Sequence, residues 1–119
     1  MKIKTSELQG VALDWAVAKA EGWGVEYLDD GITKCLLKKP PGRYAPSTNW
    51  AQGGPIIEWE KIGVEPWGAN RSWLAQTYNE AGRVTQRQYG PTPLIAAMRC
   101  YVASKLGDEV EIPNELKGA

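Results

Sequence analysis

The stretch from Pro91 to Asp108, PTPLIAAMRCYVASKLGD, contains the clearest helix signal in the chain. Thr92 supplies a capping hydroxyl, and Pro93 suits the first helical position because its missing N–H would have no helical partner there. Gly107 is a typical residue just past a helix end. The apolar residues recur at three- and four-residue spacing, which predicts one buried face made of Leu94, Ile95, Met98, Tyr101, Val102 and Leu106.

Two hairpins are predicted on the N-terminal side of this helix. Residues 25–37 are β-prone on both sides of Asp30-Gly31, a dipeptide favoured in tight turns. Residues 71–78 and 83–89 form the second pair, joined across residues 79–82. Its second strand is polar, which suits an edge strand or a strand lining a wet cleft.

Two further helices are predicted from shorter signals. Ser6 and Gln9 have the spacing of a capping box, which predicts a helix from about Ser6 to Glu21 that ends at Gly22. The segment YAPSTNWAQGGPIIEWEKI, residues 44–62, carries Gly53-Gly54-Pro55 in its middle. Because these residues disfavour a helix interior, the pattern predicts a capped turn near residues 48–52 and a new helix that starts at Pro55.

The predicted element order is α-ββ-α-ββ-α. It indicates an α+β fold, in which an antiparallel sheet of about four strands is covered by helices in the manner of an αβα sandwich. The acidic tail is expected to run back as an extended segment that buries Val110 and Ile112. With 119 residues, 43% hydrophobic and 24% charged, the chain is expected to form one globular domain spanning residues 1–119.

The charge balance argues against nucleic acid as the main partner. Fourteen basic residues match fourteen acidic ones, so binding to nucleic acid would gain little free energy from the release of counterions. Locally, Lys34, Lys38, Lys39 and Arg43 form a run without acids, so local electric fields could matter. Lys38 and Lys39 are interpreted either as a solvated strand end or as an anion-attracting rim. No apolar run reaches the roughly 20 residues of a membrane span and the N-terminus lacks a signal-peptide core, so we expect a cytoplasmic protein.

The chain contains no histidine, which removes the commonest general base and the usual metal ligand. Cys35 and Cys100 are expected as reduced, buried thiols. No carboxylate pair or ligand cluster has a catalytic or metal-binding spacing. The prediction is therefore a non-enzymatic protein with no catalytic residues, metal or cofactor.

Three segments together resemble the NinX family of small proteins from lambdoid phages and prophages: KIKTSELQGVALDWAVAKAEG at residues 2–22, YAPSTNWAQGGPIIEWEKIG at 44–63 and YGPTPLIAAMRCYVASKLGDEVEIP at 89–113. The spacing is also similar to that of the phage αβα sandwich group, in which a Tyr-Ser-Thr segment opens the middle helix. The family has no established function, so the resemblance implies a phage accessory protein acting inside a bacterium and adds little chemistry.

Three constellations are candidate ligand-binding elements. Two are helix starts whose backbone N–H groups and hydroxyls suit an anion or a carbonyl, and they would share a pocket if both helices began at one sheet edge. The third combines aromatic rings with arginines, which can stack on a base and hold phosphates. The candidate residues are Tyr44, Ser47, Thr48, Asn49, Trp50, Gly53, Gly54, Arg71, Trp73, Arg83, Arg87, Tyr89, Gly90 and Thr92.

The leading functional hypothesis is counter-defence, in which the protein binds and sequesters a small nucleotide-derived signalling ligand of the host. The first alternative is a protein-interaction module that inhibits or modulates a host defence or replication protein. Such a module would present an exposed apolar and aromatic patch instead of a pocket. The second alternative is binding of single-stranded nucleic acid. Homo-oligomers are compatible with each hypothesis.

Overall fold

A computed structural model describes residues 1–38, 42–68 and 71–116 of the chain. Within these ranges the chain is α+β, as predicted. The helices are α1 (Gly10–Glu21), α2 (Trp50–Glu60) and α3 (Pro93–Leu106), and Thr5–Glu7 and Asn114–Leu116 form short 3-10 turns. The strands are β1 (Lys2–Lys4), β2 (Val25–Asp29), β3 (Lys34–Lys38), β4 (Gly63–Trp67), β5 (Ser72–Tyr78), β6 (Val84–Gly90) and β7 (Glu109–Glu111).

The strands of the described residues form three small antiparallel sheets, so the prediction of one four-stranded sheet is wrong. β2 pairs with β3, β1 pairs with β7, and the third sheet has the order β4-β5-β6. Both predicted hairpins are present, as β2–β3 and β5–β6. Pro66 in β4 disfavours a strand, but proline is tolerated here because β4 is an edge strand.

Helix α3 is the element around which the others pack. It contacts α1, α2 and the β4–β5–β6 sheet, and Ala96, Ala97, Met98 and Val102 have no exposed surface. Its predicted ends are confirmed: Thr92 Oγ1 accepts from the N–H of Ile95 at 3.1 Å, and Gly107 is the C-cap.

The first helix begins four residues later than predicted, and the capping box at Ser6 is wrong. Thr5 donates its N–H to the Asp108 carbonyl at 2.7 Å and its hydroxyl to the Gly107 carbonyl at 2.6 Å. These bonds tie Thr5 to the end of α3 and hold residues 5–7 in a separate turn. The extended tail is confirmed, because β7 pairs with β1 and Val110 is buried.

The middle helix is continuous, so the prediction of a broken helix that restarts at Pro55 is also wrong. Asn49 is the N-cap, and its side chain accepts from the N–H of Ala51 at 2.9 Å. Pro55 lies inside the helix and removes one helical hydrogen bond. A residue before proline normally avoids the helical region because its Cβ clashes with the proline ring, and Gly54 has no Cβ.

A buried carboxylate joins α1 to the segment that precedes α2. Asp14 is 5% exposed, and its Oδ1 accepts from the N–H of Ser47 at 2.8 Å. Burial raises the pKa of Asp14 from 3.8 to about 6, although the hydrogen bond from the Ser47 N–H favours the charged form. The ionised carboxylate therefore costs stability near neutral pH.

We expect Asp14→Asn to raise the free energy of unfolding at pH 7 by about 1–3 kcal/mol, since a raised carboxyl pKa destabilises the folded state once the group ionises. Asparagine keeps the oxygen that accepts from Ser47. The wild type should lose this stability as pH rises from about 3.8 through about 6, so the gain should vanish near pH 3.5. Urea unfolding at both pH values measures it.

The matched control is Asp14→Ala, which removes the acceptor and leaves the Ser47 N–H unpaired in a buried position. It should lower stability at both pH values. An asparagine variant no more stable than the wild type at pH 7 would contradict this account of Asp14.

Candidate ligand-binding cleft

A cleft of about 420 Å³ lies where the end of α1, the end of β3, the segment 42–44 and the first turns of α2 meet. Its volume is at the lower end of the range for small-molecule sites. The polar and aromatic lining residues are Glu21, Trp23, Lys38, Arg43, Tyr44 and Gln52, with Gly42, Pro55 and Ile56 completing the walls.

One wall is a lysine placed over an indole ring. Trp23 follows the left-handed Gly22 at the end of α1 and is 48% exposed. The Lys38 ammonium nitrogen lies 3.5 Å from the centroid of the Trp23 ring and 5.8 Å from that of Tyr44. Such a cation–π contact at an exposed site is worth roughly 0.5–1 kcal/mol. It orients the Lys38 charge over the cleft.

The opposite wall is a short segment that pairs with β3. The N–H of Lys38 donates to the Gly42 carbonyl at 3.0 Å, and the N–H of Tyr44 donates to the Leu36 carbonyl at 2.8 Å. Leu37 and Arg43 form the antiparallel bridge between these two bonds. Both Lys38 and Arg43 line the cleft, although the register puts the Arg43 side chain on the Leu37 face of this ladder and the side chains of Lys38 and Tyr44 on the other face.

Gln52 fastens this wall to α2. Its amide oxygen accepts from the N–H of Ala45 at 2.6 Å, and its amide nitrogen donates to the Arg43 carbonyl at 2.7 Å. Both ends of the side chain are therefore used within the protein. Gln52 positions the segment that carries Arg43 and Tyr44.

Tyr44 forms the floor of the cleft and is only 7% exposed. Its hydroxyl oxygen is buried, and no hydrogen-bond partner lies near it among the described residues. Burial, with the nearby carboxylates of Glu21 and Asp14 as secondary causes, raises the pKa of Tyr44 well above its ordinary value. The hydroxyl therefore stays protonated, and can donate a hydrogen bond, at physiological pH.

The two cations of the cleft have no ion-pair partner in the part of the chain that the structure describes. Within the described ranges, neither Lys38 nor Arg43 lies within 4.0 Å of a carboxylate oxygen. Glu21 also lines the cleft and reduces its positive charge. Two free cations beside one acid leave a site that favours an anion.

The residues predicted as ligand-binding do not meet in one place. Tyr44 is the only one of them that lines the cleft. Thr48, Asn49 and Trp50 are exposed at the start of α2, and Ser47 is buried against Asp14. Arg87 and Tyr89 lie on one face of the β4–β5–β6 sheet, and Trp73 lies on the other face against the core. Arg71 and Arg83 are exposed, next to the starts of β5 and β6.

The starts of α2 and α3 do come together, but the junction is filled. A Cβ at Gly53 would clash with the carbonyl oxygen of Pro46 and lie 2.6 Å from Leu94 Cδ2. At Gly90, a Cβ would lie 2.7 Å from the N of Ala96. Thr92 uses its hydroxyl as the cap of α3. Gly53 and Gly90 thus permit close packing of α3.

Sequence reasoning missed Trp23 and Gln52 as parts of a site. It treated Lys38 only as a strand end or charged rim, and Arg43 as one of several arginines near aromatic rings. The acid-free run that contains these two cations was the available signal. Lys39, which belongs to the same run, lies outside the described residues.

No helix in the described ranges is long and apolar enough to cross a membrane. No group of three or more histidine, cysteine or acidic side chains there is placed to hold a metal ion.

Comparison with protein families gives a match. Residues 4–105 match the family model described as Bacteriophage P22, NinX. The match covers most of the chain and confirms the resemblance found in the three sequence segments. Comparison with curated proteins gives no match.

We expect Gly53→Ala to lower the free energy of unfolding by about 1–3 kcal/mol, because the added methyl group must displace the Pro46 backbone and Leu94. The matched control is Gly24→Ala, whose Cβ would have no neighbour within 4 Å, and it should change stability by less than about 1 kcal/mol. Thermal and urea unfolding measure both. Equal effects of the two substitutions would contradict the close approach at Gly53.

Proposed function

The chain belongs to the NinX family of phage proteins, and from this premise we propose that it binds and sequesters a small nucleotide-derived signalling ligand of the host. In this proposal the protein is a non-enzymatic accessory protein that acts in the cytoplasm of the infected bacterium. The observation that carries the proposal is the cleft, where two cations without an ion-pair partner among the described residues line the walls with an exposed indole and a buried phenol.

The cations suit the phosphate part of such a ligand. Arg43 can donate two parallel N–H groups to a phosphate, and Lys38 adds a point charge. A charge-assisted hydrogen bond is worth roughly 1.5–3 kcal/mol, more than the cation–π contact that holds Lys38 over Trp23. A phosphate would therefore draw the lysine away from the ring.

Movement of Lys38 would free the face of Trp23 for a planar base. Stacking of a base on an aromatic side chain contributes roughly 1–3 kcal/mol. The Tyr44 ring adds an apolar contact in the cleft, while its buried hydroxyl is out of reach of a ligand there. Phosphate and base together describe a nucleotide-like molecule.

Sequestration also fits the residue types of the chain. A protein that sequesters a ligand only has to bind it tightly. Tight binding requires no general base, nucleophile or metal. The chain has no histidine, and the titratable groups that line the cleft include a single carboxylate, Glu21. These features favour binding over turnover.

Protein purified under native conditions from phage-infected host cells and then denatured should release the ligand, which mass spectrometry identifies. The stripped protein should show a thermal shift with cyclic nucleotides or ADP-ribose derivatives. Lys38→Ala and Arg43→Ala should each weaken binding by about tenfold or more, because each removes a charged phosphate contact.

The matched control is Lys34→Ala, which removes a cation from the same strand outside the cleft. It should leave binding unchanged. The proposal fails if no ligand is released and no shift occurs. It also fails if Lys34→Ala weakens binding as much as Lys38→Ala, since attraction would then be non-specific.

A second candidate function is supported by one residue of α2. Trp59 is 84% exposed and, with Pro55 one turn earlier, borders an open groove of about 560 Å³ that Glu58 and Lys61 complete. Exposed tryptophan is enriched at interaction hot spots. This feature favours a protein-interaction module that modulates a host defence or replication protein.

Under this second candidate, Trp59→Ala should abolish stoichiometric capture of one host protein from lysate. Trp50→Ala is the matched control, because Trp50 is 56% exposed and lies nine residues away on the opposite side of α2. Quantitative pull-down with both variants measures this. Loss of the partner with Trp50→Ala, or retention with Trp59→Ala, would exclude the Trp59 surface.

A further inference from the structure

One face of the β4–β5–β6 sheet is covered by α3, and the other is open. We call the open face the outer sheet face and define it by the outward residues Glu65, Trp67, Gln76, Tyr78, Arg87 and Tyr89. Its aromatic rings are substantially exposed: Trp67 is 50%, Tyr78 46% and Tyr89 42% exposed. Sheets normally bury one face against another layer and keep the open face polar, so this aromatic content calls for a partner.

The strand register arranges this face in rows. Glu65 and Tyr89 flank Leu74, and Gly63 and Arg87 flank Gln76 in the next row. Trp67 and Tyr89 contact each other with ring centroids 5.9 Å apart, and Leu74 in the middle strand is 2% exposed. The apolar cluster is thus bordered by the acidic Glu65 on one edge strand and the basic Arg87 on the other.

Arg87 is held in position on the sheet by hydrogen bonds. With the Gln76 amide oriented to satisfy its neighbours, its oxygen accepts from Arg87 Nε at 2.9 Å and Nη2 at 3.0 Å, and its nitrogen donates to the Tyr78 hydroxyl at 3.1 Å. These bonds use two of the five guanidinium N–H groups, which leaves donors for a carboxylate. Within the described ranges, neither Arg87 nor Glu65 has an ion-pair partner within 4.0 Å.

This charge pattern is complementary to itself. A two-fold axis that runs parallel to β5, above the outer sheet face, places β4 of one copy over β6 of the other. Each Glu65 then lies above the Tyr89 row of the second copy, one same-face step, or about 7 Å, from Arg87. The same operation makes the reciprocal contact, as an isologous interface requires.

We propose that the outer sheet face binds a second copy of this chain, in a face-to-face dimer that buries the Trp67 and Tyr89 rings and forms two Arg87–Glu65 ion pairs. Three strands of this length cover roughly 15 Å by 23 Å, which is a small interface. The dimer is accordingly concentration-dependent and dissociates at low protein concentration. The dimer is independent of the function proposed for the cleft, whose lining residues lie outside this face.

Sedimentation equilibrium of the full chain over a range of concentrations tests the proposal. The wild type should shift from the 13.1 kDa monomer to a dimer as concentration rises. Arg87→Glu and Glu65→Arg should each weaken dimerisation by about tenfold or more, because each places like charges together. The double variant, with both charges exchanged, should restore most of the wild-type affinity.

Thermal melts of each variant monitor folding, and Trp67→Ala gives an independent readout, since it should weaken the dimer without a change of charge. A wild type that stays monomeric at all concentrations overturns the proposal. Single variants that dimerise normally, or a double variant that is not restored, overturn it as well. It is also overturned if a single-stranded oligonucleotide binds to the monomer through Arg87, since the face would then serve nucleic acid.

Discussion

The structure depends on how closely other elements approach α3. Ala96, Ala97 and Met98 are completely buried, so α3 has neighbours on all sides. Two of these approaches leave no room for a side-chain carbon: Gly53 of α2 lies against Leu94, and Gly90 of β6 lies against Ala96. Small residues at both points let the backbone itself act as packing surface.

The cleft is a consequence of this packing. Because Gly53 draws the first turn of α2 onto α3, the adjacent Gln52 reaches the segment that precedes α2. It bonds the Arg43 carbonyl and the N–H of Ala45 there. Asp14 fastens the same segment to α1 through the N–H of Ser47, although its own ionisation is costly. The walls of the cleft are thus held from both helices.

Parts of the fold were predictable because local signals sufficed. Thr92 and Gly107 mark the ends of α3, and Asp30-Gly31 marks the turn of the first hairpin. Other parts were not, since distant contacts override local preference. Thr5 bonds to the end of α3 and so cannot open a helix with Ser6, and β4 forms despite Pro66 because it pairs at a sheet edge. Pro55 stays inside α2, where Gly54 relieves its clash with the preceding residue.

The sequence by itself determined the α+β class, the main helix, the two hairpins, the family and the lack of histidine chemistry. Each of these depends on neighbouring residues, on composition or on motif order. Only the tertiary structure decided that the strands divide into three sheets and that Trp23, Lys38, Arg43, Tyr44 and Gln52 share one cleft. The physical reason is that those side chains come from separate segments, and their meeting depends on how α2 and β3 pack. No spacing within the chain encodes that packing.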